Sequence, residues 1–523
     1  MSQMLKSSGA MGVATLASRI LGMIREMFYS HFMGDTPVAS AFKLAFQIPN
    51  LFRRLLGEGA LTAAFIPIFK QKERNAGEAE MWKAANAVIS GLIIASAAII
   101  GLVMLGITVA LSVHDFEENT RLMLRLLRMM FPYLLMVCLA AIFMGMLNAR
   151  GHFFVPAMGA AVLNVVLIAS VVFLTPIMGT SLETQIFGLA IGVLVAGTAQ
   201  AFFQLPNLHR EGFRYRWVSP WRNETVREVV RKMLPGAMGV AAFQINVLVT
   251  YSVAYFVDDH IVASFDYAVR LMELPQGLFG LSLATYLLPT LAGLAADKKF
   301  PEFRSMLGQG LSHLVFLNLI ASILLVILAE PIIRLIFEHG KFTAESTHRA
   351  SLALSCLAPG LVAFSMVNIL ARAFYALGDT KTPMRISIVC LGINLVFALI
   401  LVWPLRQAGL GLANSMSAIF NVALLFYALR RKLKVLDTVE LRRSIAPLLG
   451  AAVVSGTVAW ALLHYWEKHI GHTNIAERLG AVFVPLTIAG LIYLSIAWKM
   501  KVSSAREILS LISEKLGLPP AKK

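Results

Sequence analysis

Apolar segments long enough to cross about 30 Å of bilayer hydrocarbon recur from one end of the chain to the other. Measured against that length, they predict about fourteen helices, at 9–33, 38–56, 82–113, 122–148, 153–175, 184–205, 230–257, 262–292, 309–337, 347–377, 383–403, 409–429, 444–464 and 478–498. The stretch ALTAAFIPIFKQKE at 60–73 either continues the second helix or lies at the membrane surface. The first apolar run is interrupted by Arg19, Arg25 and Glu26, which the hydrophobic core of a removable signal peptide does not tolerate.

The polar gaps orient these spans. Loops 70–81, 206–229, 296–304, 430–443 and the tail after Lys499 are rich in Lys and Arg, whereas the alternate loops HFMGDTP, SVHDFEEN, VDDH and WPLRQAG are short and mostly neutral or acidic. Basic loops stay on the cytoplasmic side, so both termini are expected there, consistent with an even number of spans. The sequon Asn223-Glu224-Thr225 then falls in a cytoplasmic loop and carries no weight.

The pattern also repeats. Pro132, Gly151 and Pro156 recur as Pro359, Gly378 and Pro383, and Pro49 of IPNLF recurs as Pro275 of LPQGLF. The four pairs share an offset of about 227 positions, the mark of an internal duplication. Each unit holds about six helices, an even number that sets both halves the same way up, with the pseudo-twofold axis along the membrane normal. The predicted organisation is an N-terminal lobe at 1–225, a C-terminal lobe at 226–440, and two extra helices with a basic tail at 441–523. The fold class is therefore an all-α polytopic membrane protein: two pseudo-symmetric six-helix lobes plus two C-terminal helices.

Composition agrees. Of 523 residues, 58% are hydrophobic and only 14% charged, too little polar surface to cover soluble domains. The net charge of +17 raises nucleic acid as a partner, but no polar domain with interleaved basic and aromatic residues exists, so none is expected. Cys138, Cys356 and Cys390 lie in apolar runs without disulfide or metal spacing, and the 24 methionines read as lipid-facing or gap-filling residues. No phosphate-binding loop, zinc signature or nucleophile elbow occurs, so neither an enzyme, a metal nor a cofactor is implied.

What remains is charge inside the spans, which is costly and needs a reason. The first helix carries Arg19, Arg25 and Glu26. The second carries Lys43, Arg53, Arg54 and Glu58 around Pro49, which should kink or break it. The eighth carries Asp266, Arg270 and Glu273 on one stripe, where two carboxylates can fix one guanidinium, and Pro275 should open the backbone beside them. These helices hold equivalent places in the two halves, so their charges are expected to line one central cavity. Arginine dominates, and a guanidinium forks onto phosphate without ever deprotonating, which suits a large anion bearing pyrophosphate. A cavity for cationic drugs would want unpaired carboxylates. Plainer roles compete: Arg53 and Arg54 could anchor a cytoplasmic helix end, Arg125 and Arg128 could snorkel to the outer interface, and Arg372 could be an interfacial anchor.

SRILGMIRE, IPNLFRRLLGEGALTAAFIPIF, YAVRLMELPQGLFGLSLATYLLPTL and HGKFT resemble the MurJ (MviN) lipid II flippases of the multidrug/oligosaccharidyl-lipid/polysaccharide exporter superfamily, over essentially the whole chain. The resemblance implies a flippase that moves undecaprenyl-pyrophosphate-linked peptidoglycan precursor from the inner to the outer leaflet of the bacterial cytoplasmic membrane by alternating access. Its partners would be lipid II and membrane lipids, with cell-wall synthesis proteins as candidates. By position, it implies Arg19, Arg25, Arg53 and Arg270 as substrate-binding, with Glu26 and Glu58 at matching acid positions; together with Lys43, Asp266 and Glu273, read from the spans themselves, these two are expected to support or gate the arginines. It also implies an apolar groove for the polyprenyl tail at the last two helices. The chain departs from the family at Val269 and Ser40, where acids are common, and its seventh and eleventh helices lack the internal carboxylates of a sodium site. The alternatives are a flippase for another polyprenyl-linked polysaccharide unit, a cation or drug exporter, and a non-transporting membrane scaffold.

Overall fold

The computed structural model describes residues 2–54, 60–434, 439–507 and 510, and no strand occurs among them. The first nine helices are α1 (Ser2–Met33), α2 (Pro37–Phe52), α3 (Ala60–Val113), α4 (Glu118–Met130), α5 (Tyr133–Ala149), α6 (Phe154–Ala169), α7 (Leu182–Phe202), α8 (Leu205–Arg210) and α9 (Glu224–Val257). There follow α10 (Ile261–Pro275), α11 (Ser282–Ala296), α12 (Phe300–Ile327), α13 (Ala329–Phe337), α14 (Ala344–Leu357), α15 (Leu361–Ala376), α16 (Lys381–Leu433), α17 (Val439–His469) and α18 (Ile475–Lys499).

Among the described residues nine helices are long and apolar enough to cross a membrane, or ten when α4 and α5, bent by 42°, count as one span. α16 holds two spans, because Arg406 (φ 50°, ψ −127°) reverses the chain inside it. With α1, α2 and α9, which carry charges or polar stretches, the spans number about fourteen. The 60–73 stretch is the helical start of α3, and Gly77 at φ 82° separates it from the apolar run beyond.

Several predicted single helices are in fact broken. Pro132 divides the 122–148 helix into α4 and α5, and Pro359 divides the 347–377 helix into α14 and α15 through a 3-10 turn at Ala358–Gly360. A proline lacks the N–H that the ladder needs and its ring crowds the preceding turn. Leu328 interrupts the 309–337 helix. Past Pro275 the chain winds as a π-helix over Gln276–Leu281, and past Pro49 a shorter π turn holds Arg53 and Arg54, so Pro49 widens α2 at its end without breaking it. Gly151 (φ 89°) and Gly378 (φ 73°) both end a span in the left-handed region, and Pro156 and Pro383 both stand in the first turn of the next helix. Every repeat-related pair therefore plays one conformational role twice.

The helices form two compact units, Met1–Ala263 with His339–Phe342, and Ser264–Glu338 with Thr343–Lys523. In the first unit α1 packs on α6, α3 on α5 and α9, and α2 on α4 and α9. One of its cores gathers Phe65, Phe69, Met81, Ile142, Met146 and Phe213. A polar clamp closes one end of this unit: Arg150 pairs with Glu73, Glu78 (2.9 Å) and Glu211 (2.7 Å), and Glu211 also meets His152 (2.8 Å).

In the second unit α17 packs on α12 and α18, with Tyr493 Oη donating to the Phe316 carbonyl at 2.9 Å. At the other end of α18, Arg478 donates to Glu338 Oε1 (3.2 Å), and Thr347 to Glu338 Oε2 (2.7 Å), while the buried Arg334 lies within 3.6 Å of Glu467. The last two helices are thus fastened to the second unit by an apolar face and an ionic cluster. Because α16 folds back at Arg406, its two ends meet: Lys432 Nζ donates to Asp379 Oδ2 at 2.6 Å. Asp379 also accepts from the backbone N–H and hydroxyl of Thr382 (3.0 and 2.8 Å).

Two outcomes follow. No atom lies within 4 Å of a Cβ built on Gly151 or Gly378, so Gly151→Ala and Gly378→Ala should each cost about 1 kcal/mol through backbone strain alone. Equal drops in the unfolding midpoint of the purified protein would show it, and no drop would refute it. The Lys432 ammonium and the Thr382 donors hold Asp379 well below the usual carboxylate range, at about 2. A depressed folded pKa stabilises above the unfolded value near 3.8 and is lost as pH falls from there toward 2. Acid scans should therefore show a loss of midpoint in that window that Asp379→Asn lacks.

Candidate functional site

Three intramembrane charges of the first unit, Arg25, Glu26 and Lys43, come together where α1, α2 and α6 meet. Thr36 caps α2, its hydroxyl accepting from Ala39 N at 3.3 Å, and Pro37 occupies the first turn. That start sets Lys43 two turns into a helix whose residues 38–45 are all buried. Lys43 Nζ lies 3.8 Å from Glu26 Oε2, and Glu26, only 3% exposed, is also bonded by Arg25 Nη2. Arg25 Nη1 donates to Asn164 Oδ1 on α6 at 3.0 Å, and its guanidinium stands 5.4 Å from the centre of the Tyr29 ring. Tyr29 in turn meets Phe42 of α2 edge to face at 6.0 Å. A carboxylate is thus placed between two cations, away from water, and the arginine fork is aimed by an amide from a neighbouring helix.

Sequence reasoning did not single out Asn164. It is buried in the otherwise apolar α6, and its Nδ2 donates to the Ser18 carbonyl at 3.1 Å, so one side chain grips α1 at two points. The signal that could have found it is a lone amide inside a span, where an unpaired polar group would be costly.

The other predicted residues are distributed. Arg19 is exposed, unlike the buried Glu26. Arg53 Nε donates to Asn50 Oδ1 at 2.7 Å in its own helix, whereas Arg54 Nη1 reaches Gln244 Oε1 of α9 at 3.4 Å. Glu58 lies outside the described residues. In the second unit Arg270 is held as the spacing predicts, with Glu273 Oε2 accepting from Nη1 at 3.2 Å and Asp266 Oδ1 3.7 Å from Nη2. Arg372, read as an interfacial anchor, donates to Thr285 Oγ1 at 2.7 Å.

A duplicated set of spans with arginines inside them is the plan of a membrane transporter, and solved structures share the fold. A structure described as "Lipid II flippase MurJ, inward closed conformation" matches with a TM-score of 0.77, at 23% identity over 97% of this chain and 99% of that one. An inward-facing multidrug resistance MATE family transporter of the MOP superfamily matches with a TM-score of 0.66, at 16% identity over 80% of this chain and 95% of that one. The family model for lipid II flippase MurJ matches residues 29–479. A "Probable lipid II flippase MurJ" of Vibrio cholerae is 32% identical over 522 residues, 95% of this chain and 94% of the relative. A "Lipid II flippase MurJ" of Burkholderia cenocepacia is 30% identical over 497 residues, 93% and 95% of the two chains. The chain belongs to the MurJ family.

The buried cluster makes a direct prediction. Removing one partner of a buried ion pair leaves the other uncompensated, so Glu26→Gln should cost about 3 kcal/mol. Lys43→Met should cost less, and the double variant less than the two singles together, because the sites share one interaction. Thermal unfolding of the four proteins closes the cycle; strictly additive losses would show that Glu26 and Lys43 act independently.

Proposed function

We propose that this protein flips lipid II, an undecaprenyl-pyrophosphate-linked peptidoglycan precursor, from the inner to the outer leaflet of the bacterial cytoplasmic membrane, with both its termini in the cytoplasm. Family membership over most of the chain supports the substrate. The observation that carries the chemistry is the guanidinium of Arg25, oriented inside the membrane by Asn164 and Glu26. In this reading Arg19, Arg25, Arg53 and Arg270 bind pyrophosphate, which takes bidentate donors better than any point charge. Glu26, Lys43, Glu58, Asp266 and Glu273 support or gate those arginines. Alternating access then moves the headgroup: anion binding draws the arginines from their carboxylates, and release follows when Glu26 and Glu273 compete for them again. Membrane potential, worth roughly 2.3 kcal/mol per charge per 100 mV, would favour an anion moving outward.

Complementation of a bacterium depleted of its own lipid II flippase tests the reading. The parent chain should restore growth and shape, while Arg25→Ala and Arg270→Ala, expressed and inserted to the parent's level, should not. Arg25→Lys and Arg270→Lys should also fail if the fork matters more than the charge. An inserted parent that cannot rescue would move the substrate to another polyprenyl-linked unit. Rescue by the alanine variants would remove these arginines from the site.

A further inference from the structure

The cationic segment between α8 and α9 is not a free loop. Phe213 is buried against Trp82 and Phe143, with ring centres 5.5 and 6.2 Å apart. Asn86 Nδ2 of α3 donates to the Arg214 carbonyl at 3.0 Å, the Tyr215 hydroxyl is 3.2 Å from Ser90 Oγ, and Val218 N donates to that oxygen at 3.4 Å. Pro220 closes on Gly91, where a Cβ would stand 3.3 Å from the proline's own Cβ. The segment is therefore a strap laid along α3 from Trp82 to Gly91. Over that distance the helix rises about 13 Å. It passes there from the charged turn Glu78–Lys83 into the uncharged, mostly apolar run 84–113, so the strap lies at the depth where headgroups meet hydrocarbon.

Its outer surface carries two kinds of group. Arg214, Arg216 and Arg222 are exposed, and Arg227 and Arg231 continue them along one face of α9 with Val230 and Leu234. Between the arginines stand Trp217 and Trp221, 60% and 73% exposed. Of the local carboxylates, Glu211 is engaged by Arg150 and His152 and Glu228 by Lys232 at 2.7 Å, while Glu224 is exposed in the first turn of α9. Among the described residues no carboxylate pairs with Arg216, Arg222, Arg227 or Arg231. Loop arginines that only set topology need no indoles. Tryptophan is stable where its apolar body meets acyl chains and its N–H meets headgroups, and arginine is stable on a phosphodiester.

We propose that this strap is a binding surface for anionic phospholipid of the surrounding bilayer, with phosphates on Arg216, Arg222, Arg227 and Arg231 and glycerol and upper acyl chains on Trp217 and Trp221. The proposal rests on these helices spanning a bilayer and not on what the protein transports. Two measurements on the full-length chain test it. In mild detergent with equimolar phosphatidylglycerol and phosphatidylcholine, native mass spectrometry should find phosphatidylglycerol retained in excess. Arg216→Gln combined with Arg222→Gln should lower that retention by about fivefold or more without changing retained phosphatidylcholine. In nanodiscs, brominated phosphatidylglycerol should quench tryptophan emission more than brominated phosphatidylcholine, and the difference should vanish in Trp217→Phe with Trp221→Phe. This second arm reads the parent directly and stands even where the arginine variant misfolds. Equal retention in parent and arginine variant, or equal quenching by the two lipids, would overturn the proposal and leave the strap as a topology signal or a surface for a soluble partner.

Discussion

Glu26 sets the terms for the first unit. A carboxylate at 3% exposure within a membrane-spanning helix has lost its water, and only nearby cations and donors offset that loss. Meeting the requirement fixes three helices at once. Lys43 brings α2 to the carboxylate, and Arg25 extends the network to α6 through Asn164, which returns to α1 at Ser18. Tyr29 and Phe42 fill the apolar side of the same junction. An apolar cluster of equal volume would join these helices without the desolvation cost, so stability alone does not account for the charges. What the ionic version adds is direction, since the amide and the carboxylate constrain where the guanidinium fork can point.

The two halves share backbone devices and differ in side-chain chemistry. Proline opens the ladder at Pro132 and Pro359, and π turns follow Pro49 and Pro275. Glycine turns the chain at Gly151 and Gly378. Yet the turn after Gly151 is tied by Arg150 and His152 to three carboxylates, while that after Gly378 is tied by Asp379 to Lys432. The charge pattern is even reversed, a central cation in one half and a central anion in the other. A duplicated scaffold specifies where helices bend, and polar side chains are then free to diverge because surface pairs contribute little to the fold.

That division explains what could be read from residues alone. Spans, prolines and the Asp266–Arg270–Glu273 stripe were legible because each is written in local spacing: a run length, a missing N–H, an i+3 or i+4 interval. The reversal at Arg406 was legible too, as the short gap WPLRQAG between two apolar runs, whereas the break at Leu328 has no such local sign. The reversal depends on Gly409, where a Cβ would stand 2.1 Å from the Leu401 carbonyl oxygen, yet the sequence shows only one glycine among several. The pairing of Lys43 with Glu26 and the role of Asn164 were equally hidden, since each links residues on different helices. The ionic cluster of Arg334, Glu338, Glu467 and Arg478 escaped for the same reason.

The intramembrane arginines differ in how firmly they are held. Arg25 is bonded from a second helix, so moving its guanidinium means moving α6 against α1. Arg54 likewise reaches across to the buried Gln244 of α9, more than an interfacial anchor requires, whereas its neighbour Arg53 turns back to Asn50. Arg270 is a third exposed, and the carboxylates beside it, Asp266 and Glu273, stand on its own helix at 3.7 and 3.2 Å. Pairs of that kind along one helix face are weak and exchange with solvent or with a competing anion. Under the proposed function the two types divide the work. In that reading a pyrophosphate would compete with the half-exposed Glu273 for Arg270, while Arg25, tied to Asn164 of α6, would keep its direction until the helices themselves move.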